Sequence, residues 1–235
     1  MGAQLLTTID REGHGLDAHT HTLIRSDSYE GSNDFRDDGH TSFPVHTSGT
    51  PYHSELTSVF GGSSIRFDGS SYIYMPYMAE CDFDSTMNFT IDFWIMWDNV
   101  SVLQVIMEQF VGQSGPGWTM YTNSGTLVIY SLGAFVSVAS CFTISNIWYH
   151  IAWSQKAGVG SKIFRNGIEI YSGVGSFPTA TGGSSEALSI GARDDPGSKY
   201  WFIGNMDEIR FSDTIRWWTA PFSANLPRTK MDYVG

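Results

Sequence analysis

Three groups of residues in this chain have the types and spacing to do chemistry. Near the start, His14, His19 and His21 surround Asp17. His19 and His21 fall on one side of an extended segment, since strand side chains alternate faces, and such imidazole sets suit transition metals. No Cys or Glu completes a site of known spacing, so these histidines are expected to be exposed or to face a partner. Near the end, Asp207 and Glu208 are neighbours within a strand-like run. Their side chains point to opposite faces, so one lies inward or in a groove, and a buried carboxylate needs a cation or several donors. Calcium, which takes six to eight oxygens, is the natural cation. Third, Tyr200 and Trp201 stand close after Arg193-Asp194-Asp195. Rings beside acidic and basic loop groups are a way to hold a sugar, and Tyr72, Tyr74, Tyr77 and Trp118 are further candidate rings. The same aromatics could instead cap a sandwich or bury against another subunit.

A hydrolase is not legible. Retaining glycoside hydrolysis needs two carboxyls about 5 Å apart, whereas Glu108 and Glu169 are isolated and Asp92 stands opposite an apolar row. There is no Gly-x-Ser-x-Gly elbow. The chain is expected not to be an enzyme.

The elements that must position these groups are strands. Residues 89–97 read Phe-Thr-Ile-Asp-Phe-Trp-Ile-Met-Trp, with Phe89, Ile91, Phe93, Ile95 and Trp97 on one parity. That is a strand with one fully apolar face, lying centrally between two layers. From residue 63 onward such patterns recur with turn signals between them, as in a β-sandwich. Asp68-Gly69 predicts a hairpin between residues 64–67 and 71–75. Further strands are expected over 103–110, 117–122, 126–130, 135–140, 148–155, 162–164, 169–171, 188–192 and 204–212. Asn166-Gly167 is the best type I′ turn. No segment has helical periodicity, so the sheets should be wholly antiparallel. Trp148 and Trp153 lie on opposite parities, so one points inward and the other covers an edge or a partner.

Composition bounds the rest. The formal net charge of −11 argues against nucleic-acid binding. Residues 1–60 carry nine acidic and three basic residues and six of the seven histidines, which marks them as different from the sandwich. No apolar run reaches the roughly 18 residues of a membrane span, and the start lacks a secretory pattern. A cytoplasmic origin follows, with Cys81 and Cys141 as buried free thiols.

Six segments in fixed order then carry a resemblance: residues 60–73, 88–95, 147–153, 164–167, 188–193 and 204–212. In that order and spacing the chain resembles the laminin-G-like, concanavalin A-like lectin/glucanase jelly-roll superfamily over roughly residues 21–222. The resemblance implies an antiparallel two-sheet jelly-roll sandwich, with an N-terminal arm (1–20) and a C-terminal tail (223–235). Glucanases of this superfamily carry Glu-x-Asp-x-x-Glu on one strand, a string this chain lacks. Residues 212–222 are similar to the ending of such domains in bacteriophage virion proteins. Residues 21–27 with 34–40 are similar to their first strand and polar loop, departing from them at Arg25-Ser26.

The resemblance implies a structural calcium ion held by Asp27 and Asp207 with a backbone carbonyl near residues 32–34. The plainer alternative is Asp207 satisfied by backbone N–H groups or by Arg66 or Arg210. It also implies a non-enzymatic virion structural protein of a tailed phage, assembled in the host cytoplasm: a capsid decoration protein. Its partners would be the major capsid protein or other virion subunits, and copies of itself, for instance as a trimer. His14, His19 and His21 in the arm and Trp217 and Trp218 in the tail would supply the interface. No nucleic-acid or membrane partner is expected. The alternative is a lectin-like, glycan- or receptor-binding module of a tail or fibre, using Tyr200, Trp201, Asp194 and Asp195.

Overall fold

The computed structural model describes residues 17–81, 83, 86–110, 117–131, 134–174, 186–193 and 199–219. His14, Asp194 and Asp195 lie outside them. In chain order the strands are β1 (Thr20–Ile24), β2 (His46–Ser48), β3 (Tyr52–Ser54), β4 (Ser64–Asp68) and β5 (Tyr72–Met75). Then follow β6 (Phe89–Trp97), β7 (Gln104–Phe110), β8 (Gly117–Asn123), β9 (Thr126–Ser131) and β10 (Ala134–Val138). The last are β11 (Trp148–Lys156), β12 (Gly160–Arg165), β13 (Ile168–Val174), β14 (Leu188–Ile190) and β15 (Ile203–Ser212). Among the described residues the single helical element is a 3₁₀ turn at Ala79–Cys81.

These strands form two antiparallel sheets. The first has the order β13-β12-β11-β6-β15-β4-β3, with β1 also on β15; the second runs β10-β9-β8-β7-β14-β5-β2. The expected antiparallel two-sheet jelly-roll sandwich is what forms. β6 sits in the middle of the first sheet and β7 in the middle of the second. Phe89, Ile91, Phe93, Ile95 and Trp97 are each at most 1% exposed, so the alternation read from sequence marks the inner face. Each such side chain contributes about 1.5–3 kcal/mol by leaving water. Trp153 joins them in the core, while Trp148 covers the sheet and donates its Nε1–H to Thr57 Oγ1 at 3.0 Å. Cys81 and Cys141 are buried and not joined in a disulfide, and burial pushes the Cys141 thiol up to about 12.

The turn signals are right about turning and partly wrong about what they join. Asn166 and Gly167, at φ 50° and 77°, link β12 to β13 in the left-handed pair that a type I′ hairpin needs. Asp68-Gly69 does not make the expected hairpin, because β4 and β5 belong to different sheets. The Asp68 carboxylate accepts from Ser70 N–H at 2.9 Å and Ser71 Oγ–H at 2.7 Å. That folded-back side chain carries the strand out of one layer and into the other.

The outer face of β6 is also covered. After β15 the chain crosses back over it: Thr90 Oγ1 donates to Thr214 O at 2.8 Å and accepts from Arg216 N–H at 3.0 Å. Trp217, 4% exposed, packs on Ala152 and Phe164 of the same sheet. Beneath this strap Asp92 and Arg210 form a buried ion pair, Nε to Oδ1 at 2.9 Å, with His150 Nε2 3.5 Å from Oδ2. Burial acts to raise the Asp92 carboxyl, yet the Arg210 charge and the His150 and Arg210 hydrogen bonds hold it well below its ordinary value.

Candidate functional site

The outer face of the second sheet is the contrasting surface. Register places one row of side chains directly across six strands. Tyr130 on β9 opposes Thr119 on β8, which opposes Glu108 on β7. Glu108 in turn opposes Ser189 on β14, then Tyr74 on β5 and His46 on β2. At about 4.8 Å per strand the row spans roughly 24 Å.

A groove of about 240 Å³ lies over the β7–β9 half, lined by Leu103, Val105, Thr119, Tyr121, Tyr130, Arg193 and Tyr200. That is somewhat below the roughly 300–1,000 Å³ of small-molecule sites. Thr119 is only 6% exposed, and its hydroxyl has no hydrogen-bond partner among the described residues. Leaving a buried hydroxyl unmade costs about 1–3 kcal/mol. Arg193 Nε lies 3.9 Å from Glu108 Oε2, whose side chain is 3% exposed beneath the groove. Burial pushes the Tyr121 phenol up, and the Arg193 charge beside it works the other way.

Tyr200 forms the rim. It is 42% exposed and sits at φ 46°, a left-handed conformation rare for a bulky residue. Its carbonyl accepts from Val105 N–H at 2.8 Å, and Arg193 N–H donates to Lys199 O at 2.7 Å, which ties the segment to β7. The twist sends the next ring elsewhere. Trp201 meets Tyr72 at a centroid distance of 6.0 Å, and Tyr72 meets Tyr74 at 5.8 Å. Lys199 Nζ lies 5.2 Å above the Tyr72 ring. An aromatic ladder thus continues from the groove across β5.

Of the expected glycan residues, Tyr200 lines the groove and Trp201 joins the ladder. Trp118 does not contribute: at 1% exposed it belongs to the core. Sequence reading missed Thr119, Tyr121 and Tyr130, whose alternation with Trp118, Met120 and Ile129 was the available signal. It set Glu108 aside as isolated, because its partner Arg193 is remote in sequence.

Of the expected calcium ligands, Asp207 holds main chain. Asp207 Oδ2 accepts from Val59 N–H at 3.2 Å and Phe60 N–H at 3.1 Å, and Oδ1 accepts from Glu208 N–H at 2.9 Å. Burial and the neighbouring Glu208 charge push this carboxyl well up. Asp27 lies against the same loop: a Cβ on Gly61, at φ +63°, would fall 1.4 Å from Asp27 Oδ1. Among the described residues no three His, Cys, Asp or Glu side chains converge as a metal site. The backbone-donor alternative therefore describes Asp207. Beside them His53 is buried, its Nδ1 2.7 Å from Ser26 Oγ. Burial lowers the His53 pKa, and Ser26, 1% exposed, is out of reach of any substrate.

Of the expected interface residues, His19, His21, Trp217 and Trp218 have contacts within the chain. His19 Nδ1 and His21 Nε2 lie 2.8 and 3.1 Å from the two carboxylate oxygens of Asp213. Arg216 donates to Asp17 at 2.8 and 3.1 Å. Trp217 is buried on its own sheet, and Trp218 lies under the ammonium groups of Lys156 and Lys162 at 5.9 and 5.3 Å.

Two closed antiparallel layers with an open aromatic groove over one of them define a jelly-roll sandwich of the lectin type. A family model described as the concanavalin A-like lectin/glucanases superfamily matches residues 67–218, and the chain belongs to that family. Among curated proteins, none matches the chain. Solved structures do. The binding domain of Paraclostridial Mosquitocidal Protein 1 superposes with a TM-score of 0.65 at 15% identity, over 84% of this chain and 49% of that one. Domain 4 of AbnA, a GH43 extracellular arabinanase from Geobacillus stearothermophilus in complex with arabinotriose, gives 0.63 at 18%, covering 89% of this chain and 98% of that one. A botulinum neurotoxin type C structure, described by a cell entry dependent on two ganglioside molecules, gives 0.62 at 14%, over 88% and 50%. The chain therefore spans about half the length of these toxin structures. At such identities the likeness establishes the fold.

Proposed function

We propose that this chain is a non-catalytic glycan-binding module that seats a sugar in the groove over β7, β8 and β9. The observation that carries it is the groove in which Tyr121, Tyr130 and Tyr200 stand around Arg193, with Thr119 in the lining. Rings that pack on the apolar face of a sugar, with a few fixed polar groups to read its hydroxyls, are the composition such sites use. The arabinotriose on one structural neighbour and the gangliosides named for another support the same reading. A virion structural role draws no support from these comparisons. Its arm lies largely outside the described residues, and its tail anchor Trp217 is buried.

A hydrolase reading is weaker. The cross-strand row holds one carboxylate, Glu108, and that group faces Arg193, whereas a glycosidase pair needs two.

A glycan array followed by isothermal titration tests the proposal. Tyr200→Ala should weaken the best ligand about ten-fold, the loss of on the order of 1.4 kcal/mol. Absence of any glycan binding by the unaltered protein at millimolar concentration would sink it.

A further inference from the structure

The groove contains a cation, and its placement bears on which sugars fit. Arg193 is the charged side chain of the lining, and a guanidinium in a sugar site ordinarily suggests a carboxylate on the ligand. Here the protein supplies that carboxylate. Glu108 projects from the central strand of the sheet directly beneath the groove, 3% exposed, with Oε2 3.9 Å from Arg193 Nε. The two charges sum to zero at the floor of the groove, where the Glu108 carboxylate is buried. A ligand carboxylate reaching Arg193 would also meet the Glu108 carboxylate, and like charges at short range in a poorly solvated site repel strongly. The remaining polar groups of the lining, Thr119 and the phenols of Tyr121, Tyr130 and Tyr200, are neutral. Lys199, on the adjoining ladder, lies over the Tyr72 ring. The net charge of −11 adds a weak, salt-screened bias in the same direction.

We infer that Glu108 is a specificity-determining residue which, by neutralising Arg193, makes the groove select neutral sugars and reject uronic and sialic acids. This rests on the glycan-binding reading and names its substrate class. Arg193 then acts as a hydrogen-bond donor to ligand hydroxyls, held in place by Glu108. Removing the Glu108 charge while keeping its shape frees the guanidinium for an anion.

The test compares the full chain with Glu108→Gln on a panel of neutral and acidic oligosaccharides. The strongest neutral ligand and its C6-oxidised uronic counterpart are then measured by titration calorimetry. The unaltered protein should bind the neutral sugar at least about ten-fold more tightly, with an affinity independent of sodium chloride. Glu108→Gln should reduce that ratio by about ten-fold or more, and Arg193→Gln in the same background should abolish the gain, which a misfolded groove would not reproduce. Acidic sugars ranking first with the unaltered protein would overturn the inference while leaving glycan binding intact. So would a ratio that Glu108→Gln leaves unmoved, provided its melting curve is native. Failure of every sugar to bind would instead remove the glycan reading itself, and this inference with it.

Discussion

Asp92 on β6 and Glu108 on β7 occupy matching places, each on the central strand of its sheet, facing outward and paired with an arginine. Asp92 meets Arg210 on the adjacent strand β15, in register, at 2.9 Å, with His150 alongside. The strap from Thr214 to Trp217 then closes over the region. Glu108 meets Arg193 at 3.9 Å, beyond hydrogen-bonding distance, and the space above is an open groove ringed by tyrosines. The first pair has its hydrogen bonds made and its water excluded by the chain itself. The second keeps an arginine and a threonine hydroxyl in position with capacity to spare. What separates a structural ion pair from a binding site is thus what the chain lays over it, more than which residues form it.

The largest effect that could break this contrast comes from Asp92→Asn. It removes the carboxylate charge paired with Arg210, which is 9% exposed under the strap. Breaking one side of a buried pair costs about 3–5 kcal/mol, which for a chain of this length lowers Tm by roughly 10 °C. Chemical denaturation should show the loss directly. A cost below about 1 kcal/mol would mean that the first sheet's outer face is as open as the second's.

The contrast was only half legible in the sequence. Alternation gave β6 and most other strands, because an apolar parity is a local pattern that one stretch of chain displays. Asp68-Gly69 announced a turn, but which sheet receives the next strand depends on pairing far away, so the hairpin expectation failed. Glu108 looked isolated for the same reason: Arg193 reaches it through β14, after many intervening strands. Tyr200 and Trp201 were legible as aromatic residues next to charge, although only the left-handed turn at Tyr200 shows that they serve different surfaces. Trp217 looked like an anchor for another molecule because nothing in sequence marks the face of Ala152 and Phe164 as uncovered. Asp207 illustrates the limit on the chemical side. A buried carboxylate was expected, and the backbone N–H groups that reach it come from a loop at Val59 and Phe60 that is remote in sequence.

A smaller effect sharpens the comparison from the other side. Thr119→Val replaces a buried, partnerless hydroxyl with a methyl group of similar shape. The free protein should gain stability, by about 1 kcal/mol or slightly more, since an unmade buried hydrogen bond is removed. That corresponds to a rise in Tm of roughly 2–4 °C. Sugar affinity should fall several-fold at the same time. Opposite signs for stability and binding are the mark of a group kept unsatisfied for a ligand. A fall in both would make Thr119 an ordinary packing residue and take it out of the groove's binding groups.

The smallest expected change comes from chelation. If Asp207 is served by three backbone N–H donors, no cation is needed to keep its carboxylate inside the fold, and excess EDTA should leave Tm within about 1 °C. A bound ion would stabilise by mass action, several kcal/mol at saturating levels, and its removal would show as a fall of several degrees. Such a fall, reversed by added calcium, would place a cation against the loop that Asp27 and Asp207 share. The strap-covered sheet would then depend on a ligand of its own, and the distinction between its closed face and the open groove would narrow. With Tm unmoved, the first sheet is held by groups the chain carries, and ligand capacity belongs to the second sheet.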